Sequence, residues 1–294
     1  MKRTVSLILI ILLLLCGCTK NQKEVNNKIK AVTTIYPLYD FVRAVGGDKV
    51  DITLLISAGT EIHSYEPTPS DMKALYNADL FFYIGGESDT WAKRILADTD
   101  IKAYSLMDSV NLIFEDGEDE YDEHIWTSSE NAVLMLRKIT SVFCDLDKEN
   151  QEEYKNNCDK YCKKIENVSS DIRQTVENSK KKFILVADRF PFKYMANEYG
   201  IEYEAAFGGC ASSTDISLKV MKRLVDTVNE ENVKYAFCTE LSNKNIARSL
   251  SEQTGVKILE LHSAHNVTAD DFNSGLTYVD IMKRNLSVLK KGLE

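Results

Sequence analysis

Histidine is scarce in this chain: 294 residues contain four, in EIHSYEP (His63), DEHIWT (His124) and LELHSAHN (His262 and His265). The seven cysteines include no C-x-x-C pair, and no His or Cys falls in the close pairs of a zinc finger or ribbon. H-E-x-x-H, a paired catalytic carboxylate beside a His, and a nucleophile elbow are all missing, which argues against a hydrolase. There is no excess of positive charge: Lys and Arg total 36 against 45 Asp and Glu, a net charge of −9, which argues against a nucleic-acid partner. After the first 15 residues no apolar run reaches membrane-spanning length.

What is present begins with a charged start, Met1, Lys2 and Arg3, and an apolar stretch over 6–15 that ends in Leu15-Cys16-Gly17-Cys18. This is a secretory signal, too short and wrongly flanked for a stable span. The polar run 19–30 reads as a flexible tether. About 275 residues remain, enough for one large domain or two lobes. Cys158 and Cys162 are spaced to share a helix face, and the pairing of Cys144, Cys158, Cys162, Cys210 and Cys238 is left open.

Two similar halves follow. In the first, strands are predicted at 29–34, 50–55, 80–84 and 103–106, with helices at 38–45, 70–76 and 91–97; Ser70 is the expected N-cap of the second helix. In the second, strands at 183–187, 202–206, 235–238 and 256–260 alternate with helices at 192–199, 215–228, 243–254 and 277–291. Alternation of this kind implies parallel sheets in α/β lobes. Between the halves, 148–179 contains neither Gly nor Pro and carries charges at helical spacing, so we expect a long helix joining the lobes. The expected organisation is a signal (1–17), a tether (18–30), an N-terminal metal-binding lobe (31–145), a connecting helix (146–180) and a C-terminal lobe (181–294). A cleft between two lobes is a preferred ligand site.

The four histidines are far apart, so a shared site must be assembled by the fold. Three imidazoles and a water make an open zinc site. The segment GTEIHSYEPTPSDMKALYNADLFFYIGGESDTW resembles the signature of bacterial metal-binding lipoproteins that feed zinc or manganese to ABC importers, matching at Gly59, His63, Glu66, Pro67, Pro69, Asp71, Ala78, Asp79, Leu80, Gly86 and Trp91. His124 in EHIWTSSENA is similar to that family's second histidine motif, and the C-terminal YVDIMKRNLSVLKKGL also fits.

The resemblance implies a non-enzymatic, monomeric zinc carrier on the extracytoplasmic face of the cell membrane, lipid-anchored through Cys18 and serving an ABC permease and ATPase. An adhesin or a zinc hydrolase on the same scaffold is the alternative. Plain secretion with an unmodified Cys18 is the alternative for the anchor. The family's usual third ligand falls here on Arg189, a permanent cation that cannot bind metal. The implied metal set is therefore His63, His124 and His262, with His265 supporting from behind or ligating in its own right. Glu61, Asp188 and Glu240 are candidates for the fourth position, and Arg189 is expected to pair with Glu240. Three imidazoles favour zinc over manganese, which prefers carboxylates. The acidic run 114–124 reads as a solvated loop or as a local attractor of cations.

Overall fold

The computed structural model describes residues 28–60, 65–97, 99–115, 119–209 and 216–294. Two four-stranded, all-parallel sheets dominate. The first has β1 (Ile29–Thr33), β2 (Val50–Leu54), β3 (Leu80–Tyr83) and β4 (Ala103–Ser105) in the order β2-β1-β3-β4. The second has β5 (Phe183–Phe190), β6 (Glu202–Gly208), β7 (Tyr235–Cys238) and β8 (Lys257–Glu260) in the order β6-β5-β7-β8. Each lobe thus places its first strand second in the sheet. The apolar, β-branched character of these runs suits strands covered on both faces.

Helices α1 (Tyr36–Gly46), α2 (Pro69–Tyr76) and α3 (Thr90–Leu96) flank the first sheet, and α4 (Ser129–Leu146) joins the same core, its Phe143 ring meeting Phe82 of β3. The N-terminus of α2 differs from expectation. Thr68, not Ser70, is the N-cap: its Oγ1 accepts the Asp71 N–H at 3.3 Å, and Asp71 Oδ2 accepts the Thr68 N–H at 2.9 Å. A reciprocal pair needs an acceptor three residues along, and Thr-Pro-Ser-Asp supplies it. Asp71 is thereby committed to the helix start.

Helix α5 (Gln151–Asn178) is the long connector. Its buried residues, Tyr154, Cys158, Tyr161, Cys162, Ile165, Val168, Ile172 and Val176, fall at three- or four-residue steps apart from the adjacent Tyr161 and Cys162, and form one apolar stripe. That stripe packs against α1 and α4 of the first lobe and against α10 (Tyr278–Gly292) of the second. One apolar cluster therefore runs from β1 and β3 through α5 to β5 and α10. Lobes that share a core resist relative motion more than lobes joined by a bare linker. The remaining helices, α6 (Lys193–Tyr199), α7 (Leu218–Glu230), α8 (Asn245–Thr254) and the short α9 (Ala269–Asn273), complete the second lobe. The outer face of its sheet is covered by α7 and α8 through Leu224, Val228, Ala247 and Leu250.

Buried Asp40 joins three of these elements. It accepts from Arg43 Nη2 at 2.5 Å, from the Tyr161 hydroxyl, and from the Tyr278 N–H at 2.9 Å. One carboxylate in α1 thus gathers donors from α5 and from the start of α10.

Among the described residues no helix is long and apolar enough to cross a membrane. Cys144, Cys158, Cys162 and Cys238 are free thiols, with Cys158 and Cys162 3.7 Å apart at sulfur. Cys210 lies outside the described residues.

Candidate metal site

A cleft of about 680 Å³ opens at the carboxyl ends of β5 and β7 in the second lobe, and Gly59, Thr60 and His124 of the first lobe also line it. Loops at such edges carry side chains into the crevice while the sheets hold them. His124 and His265 line it together with Gly59, Thr60, Asp188 and Arg189. His63 and Glu61, on the loop between β2 and α2, lie outside the described residues, as does Cys18.

His124 comes from the first lobe, just before the turn that leads into α4, and is buried. His265 comes from the loop after β8 and is also buried. Their rings stand edge to face, 5.4 Å between centroids. Trp126 backs both, 5.3 Å from His124 and 4.8 Å from His265. Its Nε1 donates to the Ser263 carbonyl at 2.8 Å, tying the first lobe's histidine turn to the second lobe's histidine loop.

Behind His124 stands Asp122, fully buried. Its Oδ1 accepts the His124 backbone N–H at 2.7 Å and lies 3.1 Å from His124 Nδ1. Burial alone would push the Asp122 carboxyl up; the His124 ring and its N–H outweigh this and hold it below the usual range. A carboxylate at Nδ1 fixes the tautomer with the lone pair on Nε2, the form a metal needs. Glu115 sits next to Asp122, and its Oε1 accepts the Gly209 N–H at 2.9 Å. Burial, then the adjacent Asp122, pushes Glu115 up to about 7. Gly209 is pressed on the His124 ring: a Cβ there would fall 3.1 Å from Cε1 and Nδ1 and 3.0 Å from the Phe190 carbonyl.

The acidic run is therefore not simply a solvated loop. Its ends are structural acceptors: Asp122 holds His124, Glu115 holds Gly209, and Glu123 accepts from the Ser88 N–H at 3.1 Å and from the Ser88 hydroxyl. Charge pattern alone could not separate these residues from their neighbours. The one local signal was Asp-x-His, which places a carboxylate two residues before a candidate ligand. Residues 116–118 lie outside the described residues.

His262 is placed differently from His265. It lines a separate internal cavity of about 30 Å³, alongside Phe192, Met195 and Tyr199. Its Nδ1 accepts the Ala264 N–H at 2.9 Å. Of the proposed carboxylates, Asp188 reaches the cleft but accepts from the Arg189 N–H at 2.9 Å and from the Thr239 N–H and hydroxyl at 3.2 and 2.9 Å. Glu240 accepts from the Ser263 N–H at 2.7 Å and hydroxyl at 2.5 Å. Among the described residues no Arg189–Glu240 ion pair is seen; the Glu240 carboxylate is engaged by Ser263 instead. Among the described residues, no three His, Cys, Asp or Glu side chains form a set that could hold an ion.

Across the cleft, Asn266 Nδ2 donates to the carbonyls of Ser57 and Thr60 at 3.0 and 2.9 Å, and the Gly59 N–H donates to the Val267 carbonyl at 2.8 Å. The loop that presents His265 is thus stitched to the segment leading into His63.

A family model described as the zinc-uptake complex component A, periplasmic, matches residues 31–292. The chain belongs to this family. Its members are binding components of an uptake system rather than enzymes. The chain is 28% identical over 298 residues to the high-affinity zinc uptake system protein ZnuA of Bacillus subtilis, covering 95% of this chain and 92% of that protein. It is also 28% identical over 295 residues to the zinc-binding lipoprotein AdcA of Streptococcus pneumoniae. That match covers 95% of this chain, which spans 58% of the length of AdcA. The crystal structure of the Zn(II)-bound ZnuA-like domain of the same AdcA superposes with a TM-score of 0.79 at 27% identity, covering 90% of this chain and 99% of that one. Two parallel-sheet lobes joined by a long helix are thus the shared architecture, as the alternation of strands and helices predicted.

Proposed function

We propose that this protein captures zinc on the outer side of the cell membrane and delivers it to an ABC importer made of a permease and an ATPase. The observation that carries this reading is the pair His124 and His265, one from each lobe, edge to face at the cleft with Asp122 fixing the His124 tautomer. The ligand set we propose is His63, His124 and His265. Here His265 takes the place that the sequence suggested for His262, since His265 lines the cleft and His262 does not. Water, or Asp188 after it gives up one of its donors, completes four-coordination. Imidazole-rich ligation favours zinc over manganese. The relatives named for zinc support the same choice.

The protein is proposed to act as a monomer anchored through lipid on Cys18. The Leu-Cys-Gly-Cys sequence and the lipoprotein relative support this. Because the lobes share a core, zinc is read as entering a largely preformed cleft and being held by both lobes at once.

The test is direct. Zinc content of the purified protein after dialysis against excess zinc should be one ion per chain. At a hundredfold excess over Kd, the ion should stabilise the fold by about 2.7 kcal/mol. Deletion should impair growth when zinc is limiting, and added zinc should restore it. A protein that retains no zinc, or growth indifferent to zinc supply, refutes the proposal. Cys18→Ser should release the protein from the membrane fraction; unchanged retention and mass would refute the anchor.

A further inference from the structure

The loop from His262 to Val267 is held by a dense set of hydrogen bonds. Asn285 brackets His262, accepting its N–H at 2.9 Å and donating to its carbonyl at 2.7 Å. Ser263 gives its N–H and hydroxyl to Glu240, while its carbonyl accepts from Trp126. The Ser263 hydroxyl oxygen in turn accepts the His265 N–H at 3.2 Å. Between them, Ala264 adopts φ +62°, the left-handed region that a residue with a Cβ rarely visits. What closes the turn at Ala264 is its N–H, donated to His262 Nδ1.

That arrangement has the form of an Asx turn, in which a side-chain acceptor attached at Cγ takes the N–H two residues on. The Nδ1 of His and the Oδ1 of Asn are both bonded to Cγ and can fill the same place. An Nδ1 that accepts carries its ring proton on Nε2, so neither nitrogen of this neutral ring is left to bind a metal. His262 Nδ1 also lies 3.5 Å from Glu240 Oε1. The shorter Ala264 contact decides the tautomer, because the N–H at 2.9 Å can only donate.

We infer that His262 is a positioning residue for His265: its imidazole closes the left-handed turn at Ala264 that swings His265 into the cleft. This rests on the site proposed above and deepens it. Two histidines three residues apart divide the work. One stays in the interior as a turn-closing acceptor, and the other is presented to the ion.

The roles predict opposite responses to the same conservative change. Zinc affinity of the purified protein is measured by competition with a chromophoric chelator, and ligand geometry by the visible absorption of the Co(II) form. His262→Asn keeps a Cγ-bound acceptor and offers no metal nitrogen. It should bind zinc with an affinity on the order of the parent's and leave the Co(II) band unchanged. His262→Ala removes the acceptor. It should weaken zinc roughly tenfold or more, with stoichiometry still one and the Co(II) band in place. Adding Ala264→Gly to His262→Ala should recover most of that loss, because glycine enters the left-handed region without strain.

The inference is overturned if His262→Asn abolishes zinc binding as fully as His265→Asn, shifts the Co(II) band, and gains nothing from Ala264→Gly. Should His262→Ala fail to fold, His262→Asn alone and combined with Ala264→Gly still decides between the roles. The underlying site has its own control. If His265→Asn keeps the parent's affinity and Co(II) band, His265 is not a ligand, and that outcome refutes the site reading whatever His262 does.

Discussion

The ring of His265 meets the ring of His124 edge to face at 5.4 Å, although the two residues belong to different lobes. Neither lobe alone holds both. Trp126, packed against both rings and bonded to the Ser263 carbonyl, keeps the approach fixed. A metal at this place would be held between the two lobes.

Loss of either imidazole removes one ligand. His124→Ala and His265→Ala should each weaken zinc by about two powers of ten, one ligand's share of a binding free energy on the order of 12 kcal/mol. Isothermal titration checks this. Equal affinity in either variant and the parent contradicts the assignment of that residue.

Gly209→Ala tests the packing on His124. The added methyl would press on the imidazole and on the Phe190 carbonyl. The ring is the softer neighbour and must shift by a few tenths of an ångström. Zinc affinity should fall on the order of tenfold, as for disturbed support of a ligand, while the melting temperature of the metal-free protein changes little. Unaltered affinity would show that the ring yields at no cost.

Asp40→Ala should be among the most destabilising single changes. It leaves Arg43 with only the Leu276 carbonyl as acceptor and strands the Tyr161 hydroxyl and the Tyr278 N–H where α1, α5 and α10 meet. The expected loss is about 3 kcal/mol, typical of breaking a buried charged network. Urea unfolding measures it, and a change under 1 kcal/mol would mean water replaces the carboxylate there.

Asp89 provides a pH signature. Burial pushes its carboxyl up to about 7 and nearby Glu123 adds to the rise, against the lowering effect of the Gly85 and Ile84 N–H groups. The unfolded chain releases this proton near 4. Between those values the folded state holds more protons, so stability falls as pH rises towards 7. Asp89→Asn keeps an oxygen acceptor for Ile84 and removes the titration. Its loss of stability between pH 5 and 7.5 should be smaller than the parent's in parallel urea titrations. Identical slopes would place the proton elsewhere.

Much of this was legible in the residues themselves. The alternation of apolar runs and amphipathic segments announced two α/β lobes, because strand and helix periods differ and each buries a different face. The Gly- and Pro-free stretch announced α5. Thr-Pro-Ser-Asp carried the capping box of α2, although Ser70 looked the better cap until the Thr68 and Asp71 bonds were seen. His124 was recognisable from its motif, and the Asp-x-His spacing hinted at the support from Asp122 that the fold then displayed.

What local pattern could not determine is which way a loop faces. His262 and His265 look alike as residue types three positions apart. Which one meets the cleft depends on Ala264 entering the left-handed region, and that depends on Asn285, Glu240 and Trp126 arriving from distant parts of the chain. The same holds for Glu115, a partly buried residue of the acidic run whose role as acceptor for the Gly209 N–H exists only where the second lobe meets it. The chain's own periodicity determined which segments are strands and which are helices, because each period follows from local backbone geometry. The tertiary structure decided the ligand geometry, because the short-range bonds at His124 and His262 act together with bonds from Trp126, Glu240 and Asn285 that only the packed lobes bring near.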